Sequence, residues 1–531
     1  MNRRSISALL FSATLAAIPV AAQTQAAAHP ASAAAATAMT PLEKRASLSL
    51  DSVRDSALEL RNLLLKMPKG SDLHTHLYGA INAETWIKGA SEDGMCIDPA
   101  AIHGTTAVFS DPAGQPPACP SGKISAAGVY QDQHLYDDLI NAFSMRNFVP
   151  TPDISGHDQF FNTFARFNGV SEKHIGEWID EVASRAARQN VQYVELMHTP
   201  IFQRAVAAGY EIGWQHDLAR FRDALLAKRA VAADVAGAKQ QIDQAELARY
   251  KLERCGQPDR SAACRLEMRY LCQVLRGFPK QQVFAHLILC FETVSADPRF
   301  VGINMVMPED GFYSMTEYGE QMRMVEFLRK LYPKVHISLH AGEIAPPLVT
   351  YDEMCCHIRL AVEQAGAERI GHGVDVMWED RPHELLHEMA DKHVMVEINL
   401  TSNDVILGVS GKSHPLPVYR KFRVPVSLST DDEGVSRSDM TSEYVRAVQS
   451  YGFTYTELKF MVRTGIEHIF LPGPSLWASP DRFTAPVAAC AHDQLGVEKP
   501  SAACSDFLKT SERARQQWEL ERRFSEFESG L

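Results

Sequence analysis

Between Lys334 and Glu433 the chain alternates short apolar runs of strand period with longer stretches of helical period, and few folds accept that alternation. KVHISLHAGE (334–343) begins as a strand, because Val335, Ile337 and Leu339 recur at a spacing of two. A helical pattern over 352–365 leads to a strand RIGHGVD (369–375), and one over 382–392 leads to a strand VMVEINLTSN (394–403). VPVSLSTDDE (424–433) is the next strand. Upstream, strands are predicted at 69–80, 192–198, 283–291 and 300–307. Helices are predicted at 41–66, 170–189 and 315–331, with a mostly helical stretch over 201–281. Eight strands separated by helices or insertions spell a parallel sheet closed into a (β/α)8 TIM barrel. No Gly-rich phosphate loop appears, which weighs against a doubly wound nucleotide fold.

Two insertions interrupt the alternation, after strands one and two: a Gly/Pro-rich stretch at 91–146 and the Ala-rich, charged part of 201–281. Segments that follow barrel strands emerge on the catalytic face. FFNTFARF (160–167) is therefore expected either in a lid stiffened by Cys96 and Cys119 or in a surface used for dimerisation. Arg3 and Arg4 precede an apolar run that ends in Val20-Ala21-Ala22, the pattern of a secretory signal cleaved after Ala22. The paired arginines hint at twin-arginine export, although their surroundings match that signal poorly. The expected organisation is a signal at 1–22, a disordered linker at 23–40, the barrel at 41–480, and a Cys-stapled loop with a helical C-terminal extension at 481–531.

The chain's ten cysteines suit an oxidising compartment, so a periplasmic or secreted location is expected, with no membrane association after cleavage. Cys96/Cys119, Cys255/Cys264 and Cys490/Cys504 each bracket a short loop, whereas Cys355 and Cys356 are expected as buried thiols in a helix. A net charge of −12 without a basic stripe excludes a nucleic-acid surface.

The chemistry gathers at the ends of the predicted strands. His74 and His76 lie two apart on strand one and face the same way; His340 and Glu343 end strand five, His372 ends strand six, and Asp431 and Asp432 end strand eight. Imidazoles with a carboxylate suit zinc and leave a coordination position for water.

In HTHLYGA, SLHAGE, RIGHGVD, LTSN and SLSTDDE, taken in this order, the chain resembles the adenosine deaminase family of metal-dependent amidohydrolases. The signal, insertions and local cysteine pairs are similar to its secreted, growth-factor-related branch. The resemblance implies one zinc ion per chain on His74, His76, His340 and Asp431, with Glu343 protonating the ring nitrogen beside the attacked carbon. It implies that His372 orients and helps deprotonate the attacking water, and that Asp432 bonds the imidazole side of the purine. The implied reaction is hydrolytic deamination of adenosine, or a close purine nucleoside, to inosine and ammonia. A homodimer stays open.

The departures bear on substrate. Tyr78, before Gly79, stands where the family has an Asp that contacts the ribose 5′-hydroxyl, and Met307 stands where it has a Gly lying against the purine. Leu196-Met197-His198 replaces a stretch where an Arg is usual, and Glu433 replaces a Pro. These keep a second reading open: the same barrel acting on adenine, a modified adenosine or another aminated heterocycle.

Overall fold

Eight strands run parallel in chain order: β1 (Gly70–His76), β2 (Val191–His198), β3 (Glu267–Leu275), β4 (Phe300–Val306), β5 (His336–Ala341), β6 (Arg369–His372), β7 (Met395–Ile398) and β8 (Val426–Leu428). The sheet closes where Asp431 N donates to His74 O at 2.8 Å and His76 N to Asp431 O at 3.3 Å, so the first and last strands meet. The result is a (β/α)8 barrel. The computed structural model describes residues 39–114 and 118–531, and residues 39–531 gather into one unit. The expected signal and nearly all of the expected linker lie outside the described residues.

Seven of the eight strands fall where the sequence places them; the third does not. Residues 283–291 belong to a helix, Lys280–Ala296. Val283 to Phe291 are buried on every side of that helix, so its sequence lacks an amphipathic period and reads as a buried strand. The true third strand, Glu267–Leu275, was hidden in the stretch assigned to helices. The strand at 394–403 also shortens: it stops at Ile398, and Leu400–Leu407 is a helix that carries Asn403. Likewise β6 ends at His372 rather than Asp375. The expected helix at 41–66 is two, Pro41–Val53 and Ala57–Lys66.

The insertion after β1 holds a small antiparallel sheet, with Cys96–Ile97 between Phe109–Ser110 and Ile124–Ser125. It then crosses the C-terminal ends of the strands through the helix Gly156–Phe167. Ser155 and Asp158 form a reciprocal capping box at its start, and Phe160, Thr163 and Phe167 recur on its buried face. Gly156 sits against the Val405 carbonyl with no room for a side chain. His157 Nε2 reaches Asp310 Oδ1 at 3.1 Å, and Met145 N donates to Val435 O at 2.8 Å. The insertion therefore covers the segments that follow β4, β7 and β8.

The barrel's other end is closed by the C-terminal helix Glu512–Ser529. Gln192 Nε2, at the start of β2, donates to Gln516 O at 2.8 Å, and Arg463 pairs with both oxygens of Glu521 at 2.7 Å. Disulfides join Cys96–Cys119, Cys255–Cys264 and Cys490–Cys504 as expected, and also Cys272–Cys290, which ties β3 to the helix Lys280–Ala296. Cys355 and Cys356 are not buried thiols in a helix. They are joined to each other, half-buried, in the turn before the helix His357–Leu360.

Candidate active site

His74 and His76 sit at the end of β1 with both rings turned inward, as residues two apart on a strand must. Each ring is oriented through Nδ1. His74 Nδ1 meets Glu397 Oε2 at 2.7 Å, His76 Nδ1 meets Gln273 Oε1 at 2.8 Å, and His340 Nδ1 meets Asn304 Oδ1 at 2.7 Å. Holding Nδ1 leaves Nε2 to face the barrel axis in every case, the arrangement that prepares imidazoles for a metal.

Those nitrogens converge on Asp431. His74 Nε2 lies 3.5 Å and His76 Nε2 3.2 Å from Asp431 Oδ1, and His76 Nε2 lies 3.2 Å from His340 Nε2. His74 Nε2 is buried without a hydrogen-bond partner, a cost that a cation would remove. Three imidazole nitrogens and a carboxylate within this reach fit a divalent cation of the zinc type. Asp431 adopts φ +59°, a left-handed conformation that turns its side chain into the cluster.

Behind the ligands runs a chain of buried charges. Glu397 Oε1 pairs with Arg369 Nε at 2.7 Å, Arg369 pairs with Glu195 Oε2 at 2.7 Å, and Glu195 Oε1 accepts Phe470 N at 2.7 Å. All three side chains are fully buried, so the barrel interior is ionic where a hydrocarbon core would be expected.

Glu343 follows β5 after Gly342, whose φ of +79° and contact with Asp375 and Ile358 leave no space for a Cβ. The turn is clamped from below by Glu309, which accepts Gly342 N at 2.9 Å and Glu343 N at 2.7 Å. Burial would raise the proton affinity of Glu309, but Arg276 first and His357 next hold it below the usual carboxylate range. Glu343 goes the other way. Burial pushes it well above the ordinary value, and the charges of Asp431 and Glu309 add to the push. The two carboxyls are therefore shifted in opposite directions.

His372 ends β6 at φ +68°, with Nε2 3.6 Å from Glu343 Oε1 and 3.9 Å from Asp431 Oδ2. Burial pushes its pKa down to about 3. Asp432 is pushed up to about 7, mainly by burial, with His76 opposing and Asp431 reinforcing the shift. Gly79 lies against the Asp432 carboxyl so closely that any side chain there would overlap it. Tyr78 stacks at the wall of the mouth, 6.1 Å from Trp86 and 15° from parallel, and its hydroxyl lies 3.4 Å from Glu172 Oε1. Met307, at φ +99°, folds its thioether over Gly277. Every residue singled out in the sequence therefore lies at the C-terminal face of the barrel. His74, His76, His340, Glu343, His372, Asp431 and Asp432 come together, and Tyr78 and Met307 stand on the surrounding wall.

A family model described as adenosine deaminase matches residues 157–476. The chain belongs to the adenosine deaminase family. The Escherichia coli (strain SE11) adenosine deaminase is 34% identical over 137 residues, which are 26% of this chain and 38% of that protein. Among solved structures, an adenine deaminase from Arthrobacter aurescens aligns over 76% of this chain and 94% of its own, with 15% identity and a TM-score of 0.46. The Arabidopsis N6-mAMP deaminase aligns over 77% of this chain and 95% of its own, with 20% identity and a TM-score of 0.49.

The structure of this adenosine deaminase family chain also brings in polar residues that the sequence reading passed over: Gln273, Asn304, Glu309, Glu397, Asn403 and His414. Glu397, Asn304 and Gln273 carried a signal, since each is a polar residue inside an otherwise apolar strand. Asn403 ends the LTSN motif, although no role was given to it, whereas Glu309 and His414 lie outside the strands and carried no signal.

Proposed function

We propose that this protein is a zinc-dependent aminohydrolase that deaminates adenosine, or a close purine nucleoside, to the oxo-purine and ammonia. The observation that carries the reading is the convergence of His74, His76, His340 and Asp431 beside a buried Glu343, whose pKa burial raises, with His372 Nε2 next to it. Family membership and the E. coli adenosine deaminase relative support the purine class.

His74, His76, His340 and Asp431 would hold one zinc ion. A divalent cation there acts as a Lewis acid toward water and supplies the nucleophile at neutral pH. The residues of the chain do the rest. An amino group on an aromatic purine carbon leaves poorly, and attack can saturate that carbon only if the adjacent ring nitrogen gains a proton. Glu343, held as a carboxylic acid, supplies that proton. His372 Nε2 faces the reacting oxygen from the Glu343 and Asp431 side. Asp432 presents a carboxyl to the imidazole side of the purine, and the insertion over the mouth excludes water from the protonated acid.

A second reading, adenine or a modified adenosine, is favoured by Tyr78, which offers no carboxylate to a 5′-hydroxyl and stands beside Glu172. Five disulfides fit export to the periplasm or the medium after removal of residues 1–22, with residues 41–480 acting as the catalytic barrel. No helix among the described residues is long and apolar enough to cross a membrane.

The test is ammonia release from adenosine, deoxyadenosine, adenine, methylthioadenosine and N6-methyladenosine, with Glu343→Gln as control. Release from adenosine that the control abolishes is the expected result. Release from another purine alone keeps the chemistry and replaces the substrate; silence across the panel with zinc bound sinks the purine reading.

A further inference from the structure

The proton on His372 can be traced from a backbone amide some distance away. Leu416 N can only donate, and it points at His414 Nδ1 from 3.1 Å. His414 Nδ1 is therefore an acceptor, and the ring proton lies on Nε2. That nitrogen stands 3.0 Å from Asn403 Oδ1, which fixes the oxygen end of the Asn403 amide. The other end, Asn403 Nδ2, stands 3.0 Å from His372 Nδ1, and a second amide nitrogen, Asn399 Nδ2, stands at 3.4 Å. The Asn403 donor, whose orientation His414 fixes, occupies Nδ1 at the shorter distance and leaves no place for a proton there. The only nitrogen of His372 that can carry one is Nε2, which faces the cluster.

We propose that Leu416, His414 and Asn403 form a tautomer lock that keeps the His372 proton on Nε2, so that His372 is a hydrogen-bond donor to the reacting oxygen and His414 is its positioning residue. The donor's use rests on the deaminase reading; the tautomer does not. The lock has two consequences for the site. A ring whose Nε2 is protonated cannot ligate a cation, so His372, although within reach of His74, His340 and Asp431, stays out of the metal's first shell and His76 takes that place. It also cannot accept a proton at Nε2, so His372 orients the attacking water rather than deprotonating it. The proton that the cation-bound water would lose in becoming hydroxide would go to solvent before the purine fills the mouth.

The lock is tested on zinc-loaded protein labelled with 15N-histidine, the His372 ring signals being assigned from their loss in His372→Gln. The parent should show a protonated Nε2 and an unprotonated Nδ1. His414→Gln can still donate to Asn403 and should keep that pattern. His414→Leu frees the Asn403 amide to turn over and should move part of the population to Nδ1–H. Asn403→Asp, which can only accept, should move the proton to Nδ1 outright. On the preferred purine, His414→Leu should lower kcat about 10- to 100-fold with KM little changed, and His414→Gln should restore it. A parent protonated at Nδ1 overturns the proposal, as does a proton that remains on Nε2 alone in both Asn403→Asp and His414→Leu. The spectra read the tautomer whether or not any purine is deaminated, so failure of the lock and failure of the deaminase reading are told apart.

Discussion

The carboxylate of Glu309 accepts the backbone N–H of Glu343 at 2.7 Å. One acidic residue thus positions the main chain of another while its charge opposes ionisation of that residue's side chain. Arg276 and His357 keep Glu309 charged, so the arrangement survives near neutrality.

Removing that charge should be visible in the pH profile. In the proposed reaction Glu343 works in its protonated form, so activity should be present below its raised pKa and lost as pH climbs through it. Glu309→Gln takes away a like charge and lowers that pKa. The alkaline limb of kcat/KM should move down by about one pH unit, with a melting curve to confirm folding. An unmoved limb would show that burial alone sets the acid.

Glu397 orients His74 and is itself held by Arg369. Glu397→Gln should weaken zinc binding about 10- to 100-fold. Competition against a chromophoric chelator measures this. Unchanged retention would mean that His74 needs no carboxylate behind it.

Buried neutral histidines make the fold acid-sensitive. His286 is pushed down to about 3 by burial and stacks on Phe202 with centroids 4.6 Å apart. The unfolded chain binds its proton below about 6.5 and the folded chain does not, so this contribution falls away as pH drops from about 6.5 toward 3. At pH 5 the loss is about 2 kcal/mol. His286→Phe should lose that much less stability than the parent between pH 7.5 and about 5 in urea unfolding. Equal losses in both proteins would assign the acid sensitivity elsewhere.

Tyr78 forms part of the wall on Trp86 and lies outside the proton-transfer cluster. Tyr78→Ala should raise KM for nucleosides several-fold and change kcat little, the signature of lost uniform binding. A fall in kcat with KM constant would place the ring in the chemistry.

The barrel was legible in the sequence because its strands end in chemistry. HTH, HAGE, GHG and TDD each mark a strand terminus, and seven strands follow from them or from plain alternation. The third strand failed for a physical reason. EMRYLCQVL carries Arg269 and Gln273 among its apolar residues, whereas the neighbouring helix is apolar on all sides, so the helix looked more like a buried strand than the strand did. The residues proposed as ligands and acid stood out for the same reason as the strands. Of their supports, Glu309 and His414 did not, because they reach the site from segments outside the strands whose geometry no periodicity encodes. Cys272 and Cys290 escaped pairing because they do not bracket a loop: one lies on β3 and the other in the misread helix.

The row of charges from His74 through Glu397, Arg369 and Glu195 ends on the amide of Phe470, at the opposite end of the barrel from the mouth. Glu397 is shared between His74 and Arg369, and Arg369 between Glu397 and Glu195, so a cation on His74 has a continuous row of contacts along which to act on that amide. The exchange of Phe470 N–H with solvent deuterium is therefore expected to change when a cation is loaded at His74. It can be read from the closed end of the molecule without any ligand entering the mouth.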